Sequence, residues 1–144
     1  MEISLREVSL FEKSDIQYKI RVGKSRLTSY KEIVVVKFSG TYRPGAIGSD
    51  DSALMLAIAE AAWTITQPLG GILDLRELTY SSGDDLDWIQ NFSPNANWPC
   101  ATLHGKKCSS GIKSLFEIKS WDEEETFFED FEDAWVYVEQ EMDK

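Results

Sequence analysis

Hydrophobic and polar residues alternate along the chain in segments that predict strands and helices. From Tyr18 to Val22 every second residue is apolar, which is the period of a strand with one buried face. Residues 32–38 form a β-branched run with little alternation, which is typical of an inner strand covered on both faces. In residues 1–16 the apolar positions change from odd (Ile3, Leu5) to even (Val8, Leu10), so no continuous strand face forms, and we predict an arm or a short extra strand there.

Helical and strand patterns then follow one another through the rest of the chain. Residues 49–51 place a serine and two acids before an apolar stretch, which predicts a first helix that ends near Gln67, before Pro68. The other predicted elements, in chain order, are a strand at 72–75, a helix after residues 81–85, a loop at 93–99, a strand at 100–104, a short helix at 112–116, an edge strand at 126–128 and a final helix capped by Asp130. This order predicts an α/β fold with helices packed on a sheet.

Composition limits the class of protein. The chain has 144 residues, 42% of them hydrophobic, which is enough for a single domain over residues 1–144 with a buried core. Its net charge of -10 argues against nucleic acid and anionic membranes as partners. No run of ~18 apolar residues could span a bilayer. Two cysteines without a pairing motif favour a cytoplasmic location.

The charge is unevenly distributed. Residues 1–44 carry nine basic and five acidic side chains, whereas residues 122–144 carry one basic and eleven acidic side chains. We therefore expect an electrically lopsided molecule whose acidic end attracts a basic protein partner. The acidic residues of this predicted partner surface are Glu123, Glu124, Glu125, Glu129, Asp130, Glu132 and Asp133.

Four short motifs, in their order along the chain, carry a resemblance to a known fold. They are Phe38-Ser39-Gly40, the stretch from Leu73-Asp74-Leu75 to Ser81-Ser82-Gly83, the segment Ile112 to Phe116, and the segment Phe128 to Ala134. Over residues 31–138 the chain resembles the STAS domain of sulphate transporters and anti-sigma factor antagonists, together with its lipid-binding-like relatives. The resemblance implies a two-layer α/β fold, with a sheet of four to five strands, helices packed on it and a final helix at the C-terminus.

The same resemblance implies a function. It favours a non-enzymatic, regulatory module of the antagonist type that acts by protein contact. In anti-sigma antagonists a serine at the second helix start is phosphorylated to break a complex with a partner kinase, and Ser81 and Ser82 stand at that place, although Tyr80 replaces the usual aspartate. A phosphate beside Asp84 and Asp85 would add repulsion and switch a partner off. The plainer alternative is that both serines only cap a helix.

The first predicted helix is apolar nearly all round. We assign its core face to Leu54, Met55, Ile58, Ala61, Ala62 and Ile65. Leu56 and Trp63 then fall on an exposed flank with Glu60 and Gln67, which predicts a partner surface and a possible homodimer contact. Alternatively, the N-terminal arm or the loop at 91–99 covers this flank.

Other candidate chemistry is weaker. Cys100, His104 and Cys108 have a spacing of four, but four residues of strand span ~13 Å, too far for one zinc ion. Asp74 and Glu77 could form an acid and base pair, but no catalytic partner accompanies them. We therefore predict no metal, no cofactor and no enzymatic activity.

Two further functions remain open at the level of sequence. The acidic surface also suits an immunity-type protein that neutralises a basic effector. The apolar first helix would instead suit a carrier of lipid or another small ligand if it lined a groove.

Overall fold

The computed structural model describes residues 2–144, in which five strands form one mixed sheet. The strands are β1 (Gln17–Lys24), β2 (Glu32–Thr41), β3 (Gly70–Thr79), β4 (Cys100–Leu103) and β5 (Phe127–Phe128), and they lie in that order across the sheet. The helices are α1 (Gly48–Thr66), α2 (Ser109–Phe116) and α3 (Phe131–Met142). Only β1 runs antiparallel to its neighbour; the other pairs are parallel.

Helices cover both faces of this sheet. The larger core lies under α1 and α2 and includes Met55, Leu73 and Ile112, all fully buried. The smaller core lies under α3 and includes Ile72 and Val138, also fully buried. The final helix therefore packs on the face opposite α1, which accounts for a second apolar layer on the central strands.

The β-branched run of β2 forms the inner strand that its composition predicts. Ile33 faces α3, whereas Val34 and Val36 face α1, and all three are fully buried. The short helix, the edge strand and the final helix also form where the sequence places them, and the Asp130 carboxylate accepts the backbone N–H of Asp133 at 3.1 Å. The predicted second helix is instead a 3-10 segment (Asp84–Gln90).

Residues 2–16 form neither helix nor strand, and their end is attached to the body through buried polar contacts. The Ser14 hydroxyl donates to an Asp51 carboxylate oxygen at 2.6 Å. Arg43 donates to the same carboxylate through its backbone N–H at 2.8 Å and through its guanidinium at 3.1 Å. Because Asp51 is 0% exposed, this cluster places a paired charge inside the protein beneath the arm.

The basic N-terminal part and the acidic C-terminal part of the chain partly neutralise each other. The loop between β1 and β2 lies against α3, where Arg26 pairs with Glu139 at 2.8 Å and with Glu132 at 2.9 Å. Lys31 pairs with Asp143 at 3.1 Å. The hydrogen bonds from Arg26 hold the pKa of Glu139 below its usual range. The two charge surpluses of the sequence are therefore less separated in the fold than along the chain.

Among residues 2–144, none of the helices has the length and apolar character that crossing a membrane requires.

Candidate protein-contact site

Three loops meet where the parallel strands β2, β3 and β4 end, an edge that we call the carboxyl edge. Backbone hydrogen bonds join them: Tyr42 donates to the Thr79 carbonyl at 2.8 Å, and Tyr80 donates to the Lys107 carbonyl at 3.0 Å. In α/β sheets this edge is the usual place for binding sites, because loops from several strands converge there. The central loop, residues 80–83, is called the serine loop below.

Ser81 and Ser82 are both exposed at the tip of the serine loop. The residue that precedes the 3-10 segment is Gly83, and the segment has no side-chain cap. Within residues 2–144, neither serine hydroxyl forms a hydrogen bond to another residue, so the expectation that they cap a helix is wrong. Gly83 replaces them because the turn needs its φ of 127°, a conformation that costs glycine little.

The serine loop has a rigid base of two tyrosines. The rings of Tyr42 and Tyr80 meet edge to face at 5.1 Å, and the Tyr80 hydroxyl donates to the Gly83 carbonyl at 2.6 Å. A Cβ on Gly111 would lie 2.7 Å from the Tyr80 ring, so α2 also packs closely here. Burial raises the pKa of Tyr80 to about 12, with a further contribution from Asp84, so the ring stays neutral. The loop therefore presents two free hydroxyls on a fixed frame.

Acidic side chains follow the serine loop directly. Asp84, Asp85 and Asp87 lie in the first turn of the 3-10 segment, and all three are exposed. A phosphate on Ser81 or Ser82 would join a site that is already negative, with Lys106 as an exposed base on the neighbouring loop. Modification would therefore increase an existing negative field.

The acidic segment, residues 122–133, is mostly solvated. Glu123, Glu125, Glu129 and Asp133 are exposed, and Glu124 is half-buried. Its other two predicted contact residues, Glu132 and Asp130, are engaged within the chain, the first with Arg26 and the second as the cap of α3. The exposed carboxylates form a negative surface near the start of α3.

The prediction that Trp63 belongs to an exposed ridge on the first helix is wrong, because its side chain is only 3% exposed. Its ring stacks on Trp98 at 6.0 Å and meets Phe92 edge to face at 5.4 Å. The loop that carries Trp98 thus covers this flank, the alternative that the sequence left open. Leu56 is half-buried, while Glu60 and Gln67 are exposed, so no apolar ridge forms there. A homodimer through this ridge loses its structural basis.

The predicted core face of α1 is also wrong at two positions. Ile65 is 79% exposed and Ala61 is exposed, whereas Ala59 is fully buried. A helix turns by about 100° per residue, so burying Trp63 rotates Ile65 away from the sheet. The large indole fills the space under the loop at 91–99, and Gly71 lies directly beneath it.

The two cysteines and the histidine do not converge on a common point. Cys108 donates its thiol to the Leu75 carbonyl at 3.3 Å, and burial raises the pKa of Cys100 to about 12. His104 is 1% exposed, and its ring stacks on Trp121 at 3.8 Å. Within residues 2–144, no three potential metal-ligating side chains come together. These residues are packed parts of the core.

The protonation of His104 follows from its neighbour. The Ser109 hydroxyl lies 2.7 Å from the Gly105 carbonyl and 2.7 Å from His104 Nδ1, an arrangement that favours a proton on Nδ1. Burial lowers the pKa of His104, and the nearby Glu129 only partly opposes this. Burial therefore favours the neutral imidazole in the folded protein.

We expect stability to fall when the pH drops below about 6.5, the ordinary pKa of an unfolded histidine. Because the folded pKa is lower, the unfolded state binds a proton first, and the loss continues until the pH passes the folded pKa. His104 is the chain's one histidine, so His104→Gln should remove this component. Urea unfolding of both proteins from pH 7.5 to about 5 measures it, and parallel profiles would contradict it.

Asp74 and Glu77 do not form an acid and base pair. The Asp74 carboxylate accepts two hydrogen bonds from the Arg76 guanidinium, at 3.0 and 2.9 Å, while Glu77 pairs with Lys107 at 3.2 Å. Each carboxylate thus has its own cationic partner. His104 does not join either carboxylate, since its ring is hydrogen-bonded to Ser109 and stacked on Trp121.

Sequence reasoning missed the role of Asp51. The capping pattern assigns Asp51 to the first turn of a helix, and it does lie at the start of α1. The pattern does not predict that its carboxylate is buried. Burial opposes ionisation of this carboxyl, yet the hydrogen bonds from Arg43 and Ser14 outweigh it and lower its pKa. The sequence feature that could have indicated this ion pair is Arg43, a basic residue that stands eight positions before Asp51. Pro44 and Gly45 predict a turn between the two.

Comparison with known proteins bears on the fold. A solved structure, an anti-sigma factor antagonist from Mycobacterium paratuberculosis, aligns with this chain at a TM-score of 0.62 and 12% sequence identity. The alignment covers 88% of this chain and 96% of that one. Neither a protein-family model nor a curated protein sequence matches the chain. The predicted resemblance is therefore confirmed at the level of the fold: the chain has the STAS-like α/β fold seen in an anti-sigma factor antagonist, with its final helix at the C-terminus.

Proposed function

We propose that this protein is a non-enzymatic regulatory module that binds a protein partner through its carboxyl edge, with the serine loop at the contact. The observation that carries the proposal is the pair of exposed side chains Ser81 and Ser82, whose hydroxyls do not cap the segment that follows. They stand on the packed ring pair of Tyr42 and Tyr80. The shared fold with an anti-sigma factor antagonist supports a regulatory role by protein contact. Phosphorylation of either serine then switches the contact off by adding charge beside Asp84 and Asp85.

The acidic segment supplies a second, electrostatic contact for a partner with a basic surface. Its exposed carboxylates raise the rate of association with such a partner and oppose partners of like charge. This feature is also what an immunity-type protein would use against a basic effector. The two functions differ at the serine loop, which only the regulatory function requires.

Glutamate at both serine positions should reduce partner capture at least about tenfold, because two negative charges at the tip of the loop mimic the modified state. Immobilised wild-type protein and the Ser81→Ala/Ser82→Ala variant should retain the same partner from an extract of the native host. The Ser81→Glu/Ser82→Glu variant should retain at most about a tenth as much, equivalent to a loss of at least about 1.4 kcal/mol of binding free energy. Quantitative mass spectrometry of the retained proteins measures the difference.

A matched control adds the same charge elsewhere. Ser29 and Thr64 are exposed and lie in the loop before β2 and in the last turn of α1, at the edge of the sheet opposite the serine loop, so Ser29→Glu/Thr64→Glu should capture like the wild type. Equal loss in both glutamate variants would show a general charge effect and contradict the serine-loop contact. Capture that survives in every variant but disappears at high salt would favour the acidic segment alone.

A further inference from the structure

The sheet face beside α3 carries a groove that the sequence did not predict. It lies between the strands β1 to β3 and the first half of α3, and it has a volume of about 560 Å³. That volume falls within the usual range of sites for small molecules. We call it the cationic groove. Lys19, Arg21 and Lys37 line it from the adjacent strands β1 and β2, and its other charged residues are Lys24, Arg26, Arg76, Asp74 and Glu132.

The positive charge of this groove is unusually placed. Lys19 and Lys37 are direct register partners on the antiparallel strands β1 and β2, and Arg21 lies on the same face of β1. Like charges directly opposite each other destabilise a strand pair. Within residues 2–144, no acidic side chain lies within salt-bridge distance of these three cations. The arrangement costs stability unless an anion lies between them.

The acids nearest to the groove are already neutralised by other bases. Asp74 is the register partner of Lys37, but its carboxylate is held by Arg76 at 2.9 Å. Glu132 lines the groove and pairs with Arg26 at 2.9 Å. The three cations therefore keep an uncompensated charge in a protein whose net charge is -10.

One wall of the groove is aromatic. The rings of Phe131 and Trp135 are stacked, with centroids 5.8 Å apart and planes 25° from parallel. Gly23 lets the indole reach β1, since a Cβ there would lie 2.8 Å from the Trp135 ring. A planar apolar group can pack on such a wall while its charged end meets the lysines.

We propose that the cationic groove binds a small organic anion composed of a planar ring and a phosphate group. The doubly charged phosphate accepts hydrogen bonds from the paired Lys19 and Lys37, with Arg21 as a further donor. The ring packs against Trp135 and Phe131. This site lies on the α3 face and does not include the serine loop, so it is independent of the partner contact proposed above.

Titration with phenyl phosphate tests the groove, monitored by the amide and indole signals in ¹H–¹⁵N NMR spectra. Saturable shifts should appear at Lys19, Arg21, Lys37 and the Trp135 indole. Lys19→Gln/Lys37→Gln should raise the Kd at least about tenfold, because it removes two charge-assisted contacts. That variant also loses a like-charge pair, so it should stay folded. Lys13→Gln/Lys119→Gln changes the net charge equally at two exposed lysines that do not line the groove, so it should leave the Kd within about twofold, because exposed charges away from the site are screened.

Two further probes define the ligand class. Inorganic phosphate should bind more weakly than phenyl phosphate, since it lacks the ring. A hexaglutamate peptide should bind more weakly as well. The proposal is overturned if phenyl phosphate gives no saturable shifts, if both double variants weaken binding equally, if phosphate alone binds as tightly, or if the peptide binds more tightly.

Discussion

Trp63→Ala should be among the most destabilising single substitutions in this protein, lowering the free energy of unfolding by about 3–5 kcal/mol. The indole is buried under the loop at 91–99, stacked on Trp98 and in contact with Phe92. Its removal leaves a cavity that the surrounding β-sheet and α1 cannot fill without moving. Urea denaturation followed by far-UV circular dichroism measures the change.

Two neighbours on the same helix serve as controls for Trp63. Ile65→Ala changes a side chain that is 79% exposed, so the free energy of unfolding should change by no more than about 0.5 kcal/mol. Leu56→Ala, at a half-buried position, should give an intermediate loss. If Trp63→Ala unfolded like the wild type, the indole would belong to a surface ridge after all.

Asp51→Ala should lower the free energy of unfolding by about 3 kcal/mol, because it strips the buried Ser14 hydroxyl and the Arg43 donors of their acceptor. This loss is at the lower end of the range of about 3–5 kcal/mol for breaking a buried ion pair, because the Arg43 side chain is partly exposed and can be hydrated again. The N-terminal arm should also become more sensitive to proteases, because its anchor at Ser14 is gone. Urea unfolding and limited proteolysis measure the two effects.

The pH dependence of the Asp51 effect has a definite sign. Its folded pKa is lowered, so the stabilisation is present above the unfolded pKa of about 3.9 and is lost as the pH falls through the folded value. The difference between wild type and Asp51→Asn should therefore shrink below about pH 4. Asp50→Ala, an exposed position one residue earlier, should have little effect at any pH. An equal loss in both variants would contradict the role of the buried cluster.

The order of elements could be predicted from the sequence because each of them carries a local signal. The β-branched run of β2 and the cap at Asp130 depend on neighbouring residues only, and both appear in the fold where the pattern indicates. The 3-10 segment was predicted as an α-helix for two reasons. Its turn is set by Gly83, and its seven residues are too few for the hydrophobic period to distinguish a 3-10 helix from an α-helix.

The sites were harder to predict because they depend on pairs that are distant along the chain. Trp63 is buried by Trp98, 35 residues later, and helical periodicity contains no information about that loop. Lys19 and Lys37 face each other only because β1 and β2 pair in one particular register. The exposure of Ser81 and Ser82 likewise follows from the turn at Gly83 rather than from the helix-start motif that drew attention to them.

The distribution of charge in the fold also depends on contacts that are distant along the chain. The surplus of basic residues at 1–44 and of acidic residues at 122–144 can be counted in the sequence, but the sequence does not show that the two regions lie against each other. In the fold, Arg26 and Lys31 contact α3 and its C-terminal end, which removes part of both surpluses. The residual charge is the set of exposed carboxylates in the acidic segment and, on the α3 face of the sheet, the cationic groove.

Hydrogen–deuterium exchange of the wild-type protein, alone and with its captured partner, tests the proposed contact most directly. Binding should slow exchange in the three loops of the carboxyl edge, at residues 42–47, 80–90 and 104–108, because their backbone amides become shielded there. The acidic segment should show weaker, salt-sensitive protection. Protection confined to the N-terminal arm, the outer edge of β1 or the C-terminal half of α3, with the serine loop unchanged, would contradict a partner contact at the carboxyl edge.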